Sequence, residues 1–446
     1  MKNQTLKDFT KYVSANVIAM IGLSCYILAD TFFISLKLGE TGLAALNLSM
    51  PSFSLVFSLG MLFAIGGATK FAICKGAGDA KGANKVFTHT VIIVACVAAI
   101  FVLLGAFLNG PIATFLGADG ATYDYSKTYV RIMLCFAPFF MFNNTLQNFV
   151  RNDGAPRLAM IASLSGNLFN ILFDYVLVFP CNMGMLGAAL ATGFSPIASM
   201  LILSIFFLRK KNSFRIEKTK ISLNLYGGIC SLGLASFISE FGFGIVMMLI
   251  NKLFKSLGGD TAVAAFAIII NVFYVVNAIF NGVASGVQPM ISFSCGENDH
   301  KKIRRVLKYA LITVSGIAVV VYIVLFFGAD GIVSIFNSAK QERLQQLATI
   351  GMRLYFVSSL FSGFNQLFSA YFAASNRGLY AQIITILRGV VLIIPLAYLF
   401  AFLWQITGLW LATPAAEFIT LAIALTIFFI TRKSPVTISA PAYVKE

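Results

Sequence analysis

Twelve apolar runs of about 20 residues or more recur along the chain, and each can cross about 30 Å of hydrocarbon as a helix. A segment surrounded by lipid must satisfy its backbone hydrogen bonds internally, as a helix does. The runs therefore predict an all-α polytopic membrane protein with 12 transmembrane helices. The predicted spans are residues 14–36, 46–72, 88–110, 129–150, 158–180, 186–208, 226–254, 262–292, 308–328, 350–372, 380–402 and 408–431.

The charge content supports this prediction. Only 11% of the 446 residues are charged, whereas a soluble domain carries about 25%. The first 15 residues are polar and basic, and no clear small-residue cleavage site follows them, so we expect a retained first helix instead of a signal peptide. We attribute the net charge of +16 to loops at the membrane and expect no nucleic-acid partner.

Basic residues concentrate in alternate connections between the predicted spans. The connection between the sixth and seventh spans, RKKNSFRIEKTK at 209–220, carries six of them, and the opposite set of loops carries only five in total. Lysine and arginine are retained on the cytoplasmic side of a membrane. The pattern therefore predicts a multi-pass protein of the cytoplasmic (inner or plasma) membrane with both termini in the cytoplasm.

The chain also repeats itself at a nearly constant offset. Residues 39–45 resemble 259–265 and residues 76–81 resemble 296–301, both at an offset of 220. GAALAT at 187–192 resembles GLWLAT at 408–413, at an offset of 221. Three ordered matches indicate a duplication. Because each half has an even number of helices, the two halves insert as parallel repeats, which is typical of secondary transporters.

The repeat predicts how the chain is divided. We expect an N-terminal six-helix lobe over 1–208 that holds an ion site, and a C-terminal six-helix lobe over 221–431. A basic cytoplasmic linker over 209–220 joins them, and a cytoplasmic tail follows over 432–446. A duplicated channel or a non-transporting receptor would share this organisation. Buried charges favour the gated cavity of a transporter.

Four acids lie inside apolar runs: Asp30, Asp174, Glu240 and Glu417. A carboxylate at the centre of a membrane helix costs about 2.5–3.5 kcal/mol on insertion scales, so we expect each to have a function or a partner. Asn170 lies four residues before Asp174, which places both on one face of the fifth helix. Thr192 follows early in the sixth span.

By their depth in the membrane, Asp30, Asn170, Asp174 and Thr192 should converge in the first half. Two carboxylates, an amide oxygen and a hydroxyl form an oxygen-rich cage that suits a hard cation such as Na⁺. The two carboxylates could instead share a proton, since adjacent acids in a low dielectric cannot both ionise readily. A third interpretation is a satisfied polar network that holds the helices together.

Two further predictions concern the second half. Glu240 has no basic residue within one helical turn, which suits a proton carrier or an anchor for a cationic substrate. It could also donate a hydrogen bond to a neighbouring helix. Arg388 is the clearly mid-span base, and Glu417 lies on the next span at similar depth. We favour a structural ion pair for them, because an unpaired buried charge is costly.

No sequence motif indicates an enzyme or a resident cofactor. The chain has no nucleotide-binding, nucleophile-elbow or zinc-ligand spacing in a credible context, and its seven cysteines are scattered without a CxxC pair. We therefore expect a non-enzymatic protein without cofactors, energised by an ion gradient and not by ATP.

Several stretches resemble the multidrug and toxic compound extrusion (MATE) family over nearly the whole chain. They are ADTFFISLKLGETGLAALNLSMP at 29–51, GNLFNILFDYVLVF with GAALAT at 166–192, and NGVASGVQPMISFSCG at 281–296. The resemblance implies two six-helix lobes forming a V-shaped bundle. It also implies efflux of organic cations and drugs by Na⁺ or H⁺ antiport through alternating access.

The resemblance also assigns residues. Family members build an ion site in the first lobe from positions occupied here by Asp30, Asn170, Asp174 and Thr192, and many carry an acid where Glu240 stands. Two features depart from the family. The first helix lacks the early proline of many members, and the tenth span lacks a carboxylate, which favours coupling through the first lobe.

The predicted partners are small organic cations and the lipid bilayer, with the chain acting as a monomer. The alternative function is a lipid-linked precursor flippase of the wider superfamily. It would need a large basic cavity for a pyrophosphate group. Arg388 is the one clearly buried base against four buried acids, so the sequence favours the exporter.

Overall fold

A computed structural model describes residues 2–337 and 341–431. Within those ranges the chain is built from α-helices, with one short 3₁₀ helix, one π-helix and no β-strand. This confirms the all-α prediction. The predicted cytoplasmic tail, 432–446, lies outside the described residues.

The first half contains seven helices. They are α1 (Lys2–Gly76), α2 (Ala80–Phe107), α3 (Asn109–Phe115), α4 (Gly120–Cys135), α5 (Ala137–Asn152), α6 (Pro156–Val178) and α7 (Gly184–Leu208). Helix α1 includes the first two predicted spans, which meet at a non-helical residue, Gly39.

The second half follows the same order. Its elements are α8 (Leu223–Gly296), α9 (His300–Phe327), α10 (Ala329–Phe336), α11 (Glu342–Tyr355), a 3₁₀ helix (Phe356–Ser358), α12 (Ser359–Ala374), α13 (Gly378–Ile386), a π-helix (Leu387–Val391) and α14 (Ile393–Thr431). Helix α8 breaks at Gly259, and α14 breaks at Trp404 and Gln405.

The backbone confirms the internal repeat at the predicted offset of 220. Gly39 (φ 59°, ψ −150°) and Gly259 (φ 64°, ψ −157°) adopt the same conformation at the same position of each half. That region is accessible almost only to glycine. Asp79 caps α2 by accepting from the Gly82 amide, and Asp299 caps α9 by accepting from the Lys302 amide.

The predicted fourth span, 129–150, differs from the structure. It is divided between α4 and α5, which meet at Phe136. Pro138 in the first turn of α5 explains the break, because proline has no amide hydrogen and its ring clashes with the preceding turn. Among the described residues, nine helical segments are long and apolar enough to cross a membrane, and one of them, Gly378–Thr431, holds two predicted spans.

The described contacts divide the chain into two compact units. One comprises residues 1–17, 238–291 and 298–446, and the other comprises residues 18–237 and 292–297. The lobe boundaries at 208 and 221 stay a prediction. Both acids expected in the first-lobe site, Asp30 and Asp174, lie in the second of these units.

Glycines bring helix backbones into direct contact within each unit. A Cβ added at Gly233 would lie 1.8 Å from the Leu62 carbonyl oxygen, so α8 begins against α1 without an intervening side chain. In the other unit a Cβ at Gly286 would lie 2.8 Å from Val13 Cα. The first helix of each half therefore begins against the second helix of the other half.

Replacing Gly39 by alanine should destabilise the protein through the backbone alone. A Cβ there would meet nothing within 4 Å, but φ is +59°. We expect a loss of about 1–3 kcal/mol, because side chains are disfavoured in this conformation. Thermal unfolding of the purified protein measures it. The control is Gly316→Ala on α9, also open but helical, which should be neutral or gain up to about 1 kcal/mol. Equal effects of the two would contradict the prediction.

Candidate ion and substrate site

The structure places Asn170 and Asp174 on one buried face of α6. Their spacing of four residues aligns the two side chains, and both are 0% exposed. Thr192 lies on the neighbouring helix α7 and is also buried. The Asn170 side-chain amide lies 3.2 Å from Thr192 Oγ1, so the two helices are joined by a polar contact at this level.

The Asn170 amide can bridge the acid and the hydroxyl. In the orientation that satisfies its neighbours, its nitrogen donates to Asp174 Oδ2 at 3.1 Å. Its oxygen then accepts from Thr192 N at 3.3 Å and from Thr192 Oγ1 at 3.2 Å. The amide thus fixes one carboxylate oxygen of Asp174 and leaves the other free for a ligand.

Asp30, on the first predicted span, completes the group. Its carboxyl group is 5% exposed and lies within hydrogen-bonding reach of the Asp174 carboxyl. The structure thus brings together all four residues that the sequence predicts to converge. Their role in ion binding stays a prediction.

Two oxygens of this group lack a hydrogen bond. Asp30 Oδ1 and Asp174 Oδ1 are buried and have no partner among the described residues. A buried carboxylate oxygen without a donor is costly, and two neighbouring carboxylates repel each other if both are ionised. A proton shared between them or a bound cation removes both costs. The oxygen-only donor set fits Na⁺ as well as H⁺.

Two tyrosines beside the acids were absent from the predicted site. Tyr26 and Tyr129 each interact electrostatically with both Asp30 and Asp174. Tyr26 precedes Asp30 by one helical turn, a spacing that could have identified it. Tyr129 is 1% exposed on α4, and no sequence spacing connects it to the acids because the contact is between distant helices.

Glu240 lies on α8 in the other unit and has aromatic neighbours. Among the described residues it makes no hydrogen bond or ion pair, but Tyr274 lies within its electrostatic reach. The Phe243 ring, one turn further along α8, stacks on Phe273 at 5.6 Å and meets Tyr274 edge-on at 5.8 Å. An acid with aromatic faces beside it can hold an organic cation.

Arg388 and Glu417 meet in the second half. Arg388 Nη2 donates to Glu417 Oε1 at 2.6 Å, and Arg388 Nε donates to the same oxygen at 3.1 Å. Asn365 Nδ2 donates to Glu417 Oε2 at 2.6 Å. Arg388 stands in the π-helix, which widens the turn between α13 and α14. The predicted contact is present, and its structural role stays a prediction.

The chain matches the MatE family model over residues 16–176 and 234–399. It is similar to the multidrug export protein MepA of Staphylococcus saprophyticus, with 27% identity over 97% of this chain and 95% of that protein. The segments of the match cover both halves of the repeat.

Solved structures share the fold. An outward-facing multidrug resistance MATE family transporter of the MOP superfamily has a TM-score of 0.89 at 22% identity, over 96% of this chain and 95% of that one. A MOP superfamily transporter from Pyrococcus furiosus, described as having a binding pocket of reverse polarity that suggests a different function, has a TM-score of 0.89 at 23% identity, with 96% and 95% covered. Transporters of this fold have 12 transmembrane helices, which agrees with the number predicted from the sequence.

Neutralising either member of the Arg388–Glu417 pair should lower the yield of folded protein. Removing one partner leaves the other as an uncompensated buried charge, which costs about 3–5 kcal/mol. We expect Arg388→Gln and Glu417→Gln to reduce the monodisperse protein recovered from membranes.

The swap Arg388→Glu with Glu417→Arg should recover part of that yield, because it restores opposite charges. Glu342→Gln, at the exposed start of α11, is the matched control and should behave as wild type. Normal expression of each single neutralisation would contradict the structural role of the pair.

Proposed function

The chain belongs to the multidrug and toxic compound extrusion family, and on that premise we propose that it exports organic cations in exchange for Na⁺ or H⁺. The contact between the buried carboxyl groups of Asp30 and Asp174 carries the proposal. Two carboxyl groups that lie so close together are stabilised by a bound cation or by a shared proton. Binding of that ion therefore depends on its concentration on each side of the membrane, which couples the protein to an ion gradient. The family consists of transporters and not enzymes, in agreement with the sequence.

The coupling ion binds between Asp30 and Asp174. Asn170 and Thr192 hold the second acid in place, and the two unpartnered oxygens, Asp30 Oδ1 and Asp174 Oδ1, receive the ion. Ion and cationic substrate compete, since each neutralises the same negative charge. Ion binding on the outer side therefore promotes release of the substrate, and ion loss to the cytoplasm prepares the site for the next molecule.

Glu240 and its aromatic neighbours are a candidate contact for a cation within the other unit. The face of an aromatic ring attracts a cation, and the carboxylate adds charge. This combination suits flat, amphipathic cations of varied shape, because stacking makes few demands on the position of hydrogen-bonding groups. The multidrug export relatives support a small-molecule substrate for this chain as well.

We also propose a location, a membrane topology and an oligomeric state for the protein. The chain is a multi-pass membrane protein. The distribution of basic loops supports a cell-membrane location with both termini in the cytoplasm, and we propose that the protein acts as a monomer. No cofactor and no nucleic acid is needed for this cycle. The flippase alternative is less favoured, because the Arg388 charge is already matched by Glu417.

Alanine at Asp30 or Asp174 should abolish most efflux. Each substitution removes one carboxylate from the pair, so the remaining acid ionises without needing the coupling ion. We expect dye efflux from a transport-deficient host to fall about tenfold or more, which corresponds to at least about 1.4 kcal/mol. Efflux is compared at equal membrane expression.

The control is Asp124→Ala on the exposed side of α4, which leaves the site intact. Wild-type efflux from both site variants at normal expression would overturn the ion-coupling assignment.

Thr192→Val distinguishes Na⁺ from H⁺. The hydroxyl oxygen can coordinate Na⁺ but cannot replace a carboxylate as the group that binds a proton. A sodium-coupled protein should therefore need about tenfold more Na⁺, since tenfold in affinity is about 1.4 kcal/mol. Substrate-evoked flux in proteoliposomes, with Na⁺ and pH gradients imposed separately, measures this. Thr192→Ser keeps the hydroxyl and should match wild type. A pH-driven flux that Thr192→Val leaves unchanged would assign the coupling to H⁺.

A further inference from the structure

The segment between α7 and α8, residues 209–222, is fixed to one unit along most of its length; we call it the strap. It has no regular secondary structure. Phe214 is 0% exposed, and its ring lies 4.6 Å from Phe87 and 5.6 Å from Phe149, between centroids. Phe71 and Phe207 complete this aromatic cluster. The predicted linker is thus anchored by a buried ring.

Backbone amides of the strap bind side chains of α2. Arg215 N donates to Asn84 Oδ1 at 3.0 Å, and Glu217 N donates to Thr88 Oγ1 at 3.0 Å. At its end, Ser222 N donates to His89 Nε2 at 3.1 Å. The strap therefore runs along the first three turns of α2, and its backbone amides face that helix.

The first part of the strap is held at α5. Ser213 N donates to Asp153 Oδ2 at 2.7 Å, and the Ser213 hydroxyl bonds the other oxygen of that carboxylate. Lys75 forms an ion pair with the same Asp153. These contacts and those to α2 leave the strap little freedom to change its exposed side.

The exposed side of the strap is basic and apolar. Six basic side chains point away from the protein, against one acid, Glu217, which is half-buried. Ile216 and Ile221 are 71% and 70% exposed on the same segment. The basic side chains are those of Arg209, Lys210, Lys211, Arg215, Lys218 and Lys220.

The strap runs beside the start of a helix that is longer than the hydrocarbon core of a membrane. Helix α2 has 28 residues and is therefore about 42 Å long, about 12 Å more than the hydrocarbon core needs. The strap runs beside the first turns of this helix, between Asn84 and His89. Helix α2 is therefore long enough for its first turns, and the strap beside them, to lie at the level of the lipid head groups.

We propose that the exposed side of the strap is a binding surface for anionic phospholipids. Its lysines and arginines bind lipid phosphates, and Ile216 and Ile221 enter the boundary between head groups and acyl chains. Charge complementarity identifies anionic lipids as the partner, because six basic side chains on a fixed backbone face the negatively charged head groups of the leaflet. This goes beyond ion-coupled export, because lipid binding here stabilises the unit that carries Asp30 and Asp174 whatever ion drives transport.

The test compares full-length protein in nanodiscs of phosphatidylcholine with and without phosphatidylglycerol. Both leaflets of a nanodisc are alike, so the outcome does not depend on orientation or on transport. We expect phosphatidylglycerol to raise the unfolding midpoint of wild type. The rise should disappear at about 1 M salt, where the screening length is about 3 Å.

Lys211→Gln, Lys218→Gln and Lys220→Gln together should remove at least half of that rise. The matched control neutralises three exposed bases at the start of α9: Lys301→Gln, Arg304→Gln and Lys308→Gln. It should keep most of the rise. Arginine at the three strap positions keeps the charge and should keep the rise, which separates lost binding from misfolding. An equal midpoint in both lipids for wild type, or equal losses in strap and control variants, would overturn the proposal.

Discussion

Two carboxyl groups share a buried, low-dielectric site in this protein, and much of the first half positions them. Asp30 is presented by α1, and Asp174 by α6, where Asn170 joins it to Thr192. The second half stabilises its buried carboxylate differently, because Glu417 accepts hydrogen bonds from both Arg388 and Asn365. One half therefore holds two neighbouring acids with no ion pair to a basic residue among the described residues, and the other holds an acid that is paired with an arginine.

The two halves differ in their buried acids although their backbones repeat each other. The glycine conformations at Gly39 and Gly259 and the caps of α2 and α9 are preserved at an offset of 220. At an offset of 221, the counterparts of Asn170 and Asp174 are Val391 and Pro395. The repeat thus preserves positions at which the backbone is constrained, whereas the polar pair of the first half is not repeated in the second.

The sequence predicts features that depend on local pattern. Span positions, the shared face of Asn170 and Asp174, and the meeting of Arg388 with Glu417 at one depth all follow from periodicity and the cost of buried charge. The break at Phe136, the π-helix at Arg388 and the approach of Tyr129 to the acids do not, because they depend on contacts between distant helices. The basic composition of the strap predicts only a linker, because composition alone does not reveal that Phe214 is buried.

The anchoring of the strap has a consequence for how the duplicated halves are joined. A short turn could connect two parallel repeats, but here the connecting segment inserts the aromatic ring of Phe214 among four others. Residues 209–222 are therefore packed into the core of one unit. A cut, an insertion or a circular permutation at residues 209–222 would therefore open a hydrophobic core, although the sequence alone predicts a linker there.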